Sequence, residues 1–276
     1  MANTPLNPQA DQMADESMVR TLDAQARAIW PQEVQLLERY DLPPNLQILD
    51  AGSGTGEGAS RLAYHFPTSR VLGVDVIEEN LARARTRFAA LAPRVSFERR
   101  SVYELQLPAQ SFDLTVCRHV LHSIPHPEQV VAELVRVTRS GGYLHLLAED
   151  YSMIHFEQRA EQLDAFWLAV TNKFTAATGI DMRSGRNLFG LLAAAGLQSI
   201  AVNYVIVDTV RVPRPVFAEI LEAWRDGFAG PCAEVTGTPL EQVVGCFEDM
   251  IAQVRDPRRY AVWMVPIISA RVPMSL

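Results

Sequence analysis

The chain of 276 residues is 48% apolar and 21% charged, enough to bury one enlarged α/β core or a core with a cap, and no apolar run in it reaches the length of a membrane span. Its 25 basic and 32 acidic side chains give a net charge of -7, which speaks against wholesale binding of a nucleic-acid backbone. Cys117, Cys232 and Cys246 form neither a metal-ligand spacing nor an even disulfide set, so no metal and a reduced, cytoplasmic compartment are expected.

Taken in chain order, residues 1–15 are polar and lack a signal-peptide pattern, and they are expected to be poorly ordered. Ser17 to Tyr40 reads as helical with an interruption at Trp30-Pro31, and Pro43-Pro44 closes it. A strand–helix alternation follows. Strands are predicted at 47–51, 71–75, 95–99, 112–117 and 143–149, and helices at 57–66, 78–91 and 127–139. Continuous apolar runs such as Val71-Leu72-Gly73-Val74 suit strands covered on both faces, hence a parallel sheet. Ser140-Gly141-Gly142 reads as a helix stop. Beyond residue 150 the rhythm changes. An amphipathic helix is predicted over 157–178, a core helix from Leu188 to Ala195, and strands over 200–212 and 260–272, with helices in the long span 213–257.

One stretch carries chemistry. Ile48 to Ala51 ends in a turn, Gly52-Ser53-Gly54-Thr55-Gly56, that runs straight into a helix, and Asp75 stands nineteen residues beyond Gly56 at the end of the next apolar run. A turn free of side chains lets backbone close on a ligand, and a carboxylate at the next strand tip can hold ribose hydroxyls. A dinucleotide fingerprint counted from Gly52 needs glycine at position 57, where this chain has Glu57. A carboxylate there suits the helix dipole and repels a pyrophosphate. The chain also lacks a Tyr-x-x-x-Lys pair, since Lys173 is its single lysine. An NAD-dependent oxidoreductase and a non-catalytic adenosine-cofactor-binding module stand as the alternatives.

At Leu49-Asp50-Ala51-Gly52-Ser53-Gly54-Thr55-Gly56 the sequence resembles the class I S-adenosylmethionine-dependent methyltransferases, well over residues 46–150 and weakly beyond. The resemblance implies a Rossmann-like α/β fold: a mostly parallel seven-stranded sheet with an antiparallel last strand and helices on both faces. Residues 1–45 then form an N-terminal helical cover, and 46–276 the methyltransferase domain, with helical lid insertions at about 152–180 and 213–257. It implies S-adenosyl-L-methionine as cofactor and transfer of its methyl group to oxygen, nitrogen or carbon of a small molecule. Neither nucleic acid nor membrane is expected as partner, and a homodimer is one arrangement open to the insertions.

Ligands of open α/β sheets sit beyond the carboxyl ends of the strands. That rule and the resemblance together select the cofactor-binding candidates: Asp50, Ala51, Gly52, Ser53 and Gly54 after the first strand, and Asp75 and Val76, with Ile77, after the second. After the third come Ser101 and Val102, where the family commonly has an acid and this chain has serine. After the fourth come Cys117 and Arg118. The catalytic candidates are His119, whose imidazole could serve as a base, and Glu149 and Asp150 at the fifth strand tip. His122 is expected in packing or capping. Arg20, Arg27, Arg183 and Arg186 could grip an acidic acceptor but read first as solvated. Trp30, Phe166, Trp167, Phe174 and Trp224 could line an acceptor pocket but read first as core.

Overall fold

A computed structural model describes residues 15–274 of the chain. Apart from Asp15, the N-terminal stretch expected to be poorly ordered lies outside the described residues. Helix α1 (Glu16–Leu37) starts on Asp15, whose carboxylate accepts the Ser17 N–H at 2.8 Å. The expected break at Pro31 does not occur, and α1 runs through it. Proline removes one intrahelical donor, but Ala24, Ala28, Ile29, Leu36 and Leu37 are buried on either side of it, so packing outweighs the lost bond.

The alternation then proceeds as read: β1 (Gln47–Ala51), α2 (Glu57–His65), β2 (Arg70–Asp75), α3 (Glu78–Arg87), β3 (Val95–Arg99), β4 (Phe112–Arg118), α4 (Pro127–Val137) and β5 (Thr138–Leu147). The predicted glycine stop of α4 is displaced. The helix ends at Val137, and Gly141, at φ +76°, lies inside β5, which shifts register against β4 between Phe112 and Leu114. There follow β6 (Ile154–Phe156), α5 (Ala160–Thr178), α6 (Leu188–Ala194), β7 (Gln198–Asp208), α7 (Arg214–Thr236), α8 (Leu240–Arg255) and β8 (Ala261–Arg271).

The sheet has the order β3-β2-β1-β4-β5-β8-β6, with β7 also paired to β8. Strands β1 to β5 are parallel, and β8 runs antiparallel to β5, β6 and β7. It therefore has eight strands, not seven. The additional strand, Ile154–Phe156, is three residues long and too short to show a period in the sequence. Strand order reverses between β1 and β4, which opens a crevice at their carboxyl ends. The free edge of β7 is partly capped from α1, where the Gln32 amide donates to the Ile206 carbonyl at 2.9 Å and accepts the Ile206 N–H at 3.1 Å. Helices α1, α5, α7 and α8 share an aromatic core with β6, β7 and β8, centred on Trp167, Trp224, Phe247 and Trp263. None of the described helices is long and apolar enough to cross a membrane.

Candidate active site

The crevice is built on the turn after β1. Gly52 and Ser53 both donate to the Val74 carbonyl at 2.8 Å, which ties the turn onto β2. Gly52 has φ +78°, and a Cβ there would lie 2.2 Å from Val120 Cγ2, so only glycine fits beneath the loop that follows β4. Asp75 accepts from Gly54 N–H at 2.8 Å and from Ile77 N–H at 2.9 Å. It thus sets the turn and opens α3, and its remaining lone pairs face the cleft. Burial pushes its carboxyl above the ordinary range, against the pull of those amides.

The cleft holds about 740 Å³ of empty space, part of it continuous with solvent. Its walls come from four strand tips: Gly52 and Gly54, then Asp75, Val76 and Ile77, then Ser101, Val102 and Tyr103, then Arg118 and His119. Met18 and Leu22 of α1 roof it. Ser101 lines the cleft while its hydroxyl accepts the Tyr103 N–H at 3.3 Å, so it serves as a turn cap as well. A smaller compartment of about 340 Å³ continues past Gly52 to Asp50, Ser53, Glu57 and Arg118.

Electrostatics differ between the ends. Asp50 is 2% exposed, its Oδ2 has no hydrogen-bond partner, and burial pushes its carboxyl up to about 6, with Arg118 pulling the other way. Gly58 leaves the room those two groups use, since a Cβ there would meet Arg118 Nη1 at 2.7 Å and Asp50 Oδ2 at 2.9 Å. Glu57, where a dinucleotide site needs glycine, ion-pairs with Arg87 and Arg61. That keeps a negative charge where a pyrophosphate would have to approach.

His119 stands at φ +59°, a left-handed backbone uncommon outside glycine, with its N–H on the Leu147 carbonyl at 3.0 Å. Its Nδ1 bonds Glu149 Oε1, its buried Nε2 has no partner, and the residue lines the cleft. His122, expected only to pack, sits at ion-pair distance from the other Glu149 oxygen. Burial by itself would raise the Glu149 carboxyl, but the two histidines outweigh it and hold it well below the usual carboxylate range. A carboxylate on Nδ1–H leaves Nε2 as the open lone pair.

Other expectations are revised. Ala51 and Cys117 are fully buried in the hydrophobic core and line neither compartment. Asp150 is not on the cleft wall either: its carboxylate accepts from Ser152 N–H at 3.0 Å and is gripped by Arg186. Arg20 and Arg27 pair with Glu16, Asp226, Asp23 and Glu219, which fastens α1 to α7. Trp30 packs edge-on against His65, away from the other named aromatics. Sequence reasoning missed Glu33 and His145. Both are fully buried and separated from the motif by long spans of chain, so no local pattern marks them.

Sheet order, glycine turn and acid-tipped second strand define a nucleotide-type α/β fold of the methyltransferase kind. Residues 49–146 match the methyltransferase domain family. The methyltransferase str3 of Strobilurus tenacellus is 30% identical over 195 residues, 70% of this chain and 66% of that protein. The trans-aconitate 2-methyltransferase of Variovorax paradoxus is 32% identical over 135 residues, 48% of this chain and 51% of that protein. Among solved structures, the cyclase SpnF superposes with a TM-score of 0.59 at 23% identity, covering 89% of this chain and 81% of its own, a likeness of fold. The matched stretches span between 24% and 66% of the first curated relatives. Residues 49–146 form a methyltransferase domain of the class I S-adenosylmethionine-dependent kind.

The cofactor of that family is S-adenosylmethionine, and the residues present fit it. The glycine turn leaves backbone open beside the cleft, and apolar Val76, Ile77 and Val102 stand at the end away from Arg118. The orphaned acceptor Asp50 Oδ2 and the guanidinium of Arg118 present opposite charges at the other end, which suits a zwitterionic amino-acid tail.

Proposed function

We propose that the protein methylates a hydroxyl, amine or carbon of a small molecule, with His119 as the general base and Glu149 as its anchor. The observation that carries this reading is the buried, partnerless Nε2 of His119, a residue that lines the cleft, with Nδ1 held by an ionised carboxylate. When bound, S-adenosylmethionine supplies an electrophilic methyl on its sulfonium. Asp75 takes the ribose hydroxyls, Val76, Val102 and Ser101 the adenine side, and Asp50 and Arg118 the amino-acid tail, with the Gly52–Gly54 backbone between them. His119 Nε2 receives the proton the acceptor gives up, and Glu149 steadies the imidazolium that results. Asp150 has no part in this chemistry. It anchors the loop that carries Tyr151, through Arg186.

The roof supports a small acceptor. Within the N-terminal cover, α1 roofs the cleft, and the insertions at about 152–180 and 213–257 supply α5, α7 and α8 as lids. Beneath them Tyr151, Trp167, Met182, Trp224, Phe228 and Cys232 line a narrow apolar gap with room for about one water molecule. The Tyr151 ring is 5.7 Å from that of His122, so this apolar space adjoins the His–Glu cluster. Aromatic walls beside convergent polar groups are the usual make-up of a small-ligand pocket. The relative from Variovorax paradoxus, by its name, also acts on a small molecule.

The test pairs binding with turnover. Titration with S-adenosylhomocysteine is expected to give saturable binding that Asp75→Asn weakens, while NAD gives none. With a small-molecule cell extract and S-adenosylmethionine, S-adenosylhomocysteine is released, and His119→Gln slows that release by roughly 100-fold or more without losing cofactor affinity. Binding of NAD in place of S-adenosylhomocysteine would end the reading.

A further inference from the structure

Beneath the cofactor cleft lies a buried polar chain that the chemistry above does not use. Glu33, on α1, has no solvent exposure, and its Oε1 is 3.1 Å from Arg118 Nε and 3.1 Å from His145 Nε2. His145, in the middle of β5, is equally buried, and its Nδ1 lies 2.7 Å from the Tyr40 hydroxyl. Tyr40 stacks on Tyr143 with ring centroids 4.6 Å apart. Burial raises the Tyr40 hydroxyl above its ordinary range. Burial opposes ionisation of Glu33, but Arg118 and His145 prevail and hold its carboxyl below the usual range. Tyr40, His145 and Glu33 thus form a line ending on Arg118, the cation that both compartments of the cleft share.

The same helix roofs that cleft. Met18, Leu22 and Ala26 line it, and Glu33 continues their stripe at helical spacing, so one face of α1 carries both the roof and the acid behind Arg118. An isolated pair fastening α1 would leave no acceptor atom unused. Instead Glu33 Oε2 and Asp50 Oδ2, on the two acids flanking Arg118, and Arg118 Nε itself are all buried without a hydrogen-bond partner, the guanidinium meeting Glu33 as an ion pair alone. Buried polar atoms without partners are costly in a finished structure, and a charged tail on Arg118 and Asp50 would complete the set.

We propose that Glu33 is a positioning residue: it aims Arg118 at the charged amino-acid end of the cofactor, so that binding of that end and seating of α1 over the cleft are one coupled event. The proposal rests on the reading that Arg118 and Asp50 receive that end. Coupling of this kind is reciprocal, since a tail that favours the seated helix is itself held better by a chain whose helix is seated.

The experiment compares two ligands on the full chain by calorimetry: S-adenosylhomocysteine, and 5′-methylthioadenosine, which has the same adenosine and sulfur but no amino-acid tail. In Glu33→Gln the affinity for S-adenosylhomocysteine is expected to fall roughly 10- to 100-fold, the range of one interaction with a charged group, while that for 5′-methylthioadenosine stays put. Hydrogen exchange gives the second readout. S-adenosylhomocysteine slows exchange across residues 16–37 of the wild type, 5′-methylthioadenosine does so less, and the difference disappears in the variant. Tyr40→Phe removes only the outermost hydrogen bond and shows the same selectivity with smaller amplitude, and it decides the matter should Glu33→Gln not fold. Equal losses for both ligands, or none for either, overturn the proposal and leave the cofactor site standing. A wild type that binds neither ligand overturns the cofactor reading beneath it.

Discussion

Lowering the pH from about 8 to about 5 should weaken binding of S-adenosylhomocysteine about tenfold through one side chain, Asp50. Its carboxyl is 2% exposed and pushed up to about 6, first by burial and further by Glu33, against the pull of Arg118. A ligand ammonium is attracted to the carboxylate and not to the carboxylic acid. At about pH 5 only roughly one molecule in ten carries the ionised form, so binding must expel a proton at a cost of about 1.4 kcal/mol. Above about pH 7 that cost vanishes. Glu33 and Glu149 are held ionised below this window and do not contribute a slope. Asp75 is also raised by burial, but it faces the ribose, which 5′-methylthioadenosine shares. The difference between the two ligands' slopes therefore isolates Asp50. Calorimetry in buffers of unlike ionisation enthalpy should show uptake of the expelled proton by buffer at low pH, and Asp50→Asn should bind weakly with a flat profile. Equal slopes for the two ligands, or a slope surviving in Asp50→Asn, would refute the reasoning.

The same group bears on stability. Its folded value lies above the ordinary aspartate value of 3.8, so its contribution is complete below about pH 4 and lost as pH rises through about 6. Chemical denaturation should thus show Asp50→Asn gaining on the wild type by about 3 kcal/mol between those limits, and a constant difference counts against it. His119→Gln and Glu149→Gln should each lower turnover by roughly 100- to 10,000-fold with S-adenosylhomocysteine affinity retained, and a matching loss of affinity would mean the cleft itself had changed. Gly52→Ala places a methyl 2.2 Å from Val120 Cγ2 at φ +78°, so thermal unfolding should occur earlier and S-adenosylhomocysteine binding should disappear. Trp224→Ala empties the centre of the lid core, where Tyr151 and Trp263 lie within 5.3 Å ring to ring, and should cost about 3–5 kcal/mol in denaturant unfolding.

What the chain determines locally could be read from it directly. Continuous apolar runs, the side-chain-free turn at Gly52–Gly56 and an acid at the tip of the second strand are short-range patterns, and they announced the parallel sheet, the crevice and the place of Asp75. Glu57 could be weighed against a pyrophosphate because its position follows from spacing alone. The departures arose where neighbours distant in sequence outweigh local preference. Proline at 31 does not break a helix packed along its length, and Asp150 is claimed by Arg186, which only the loop geometry brings near. Cys117 turns into the core because β4 is covered on both faces. The pairing of His119 and His122 with Glu149 joins two strand tips, and the line from Tyr40 through His145 and Glu33 to Arg118 joins a helix to two strands. A titratable side chain shows its residue type in the sequence, but its charge, its proton and its partner depend on burial and on which groups the fold sets within hydrogen-bond reach, and those were decided by tertiary structure alone.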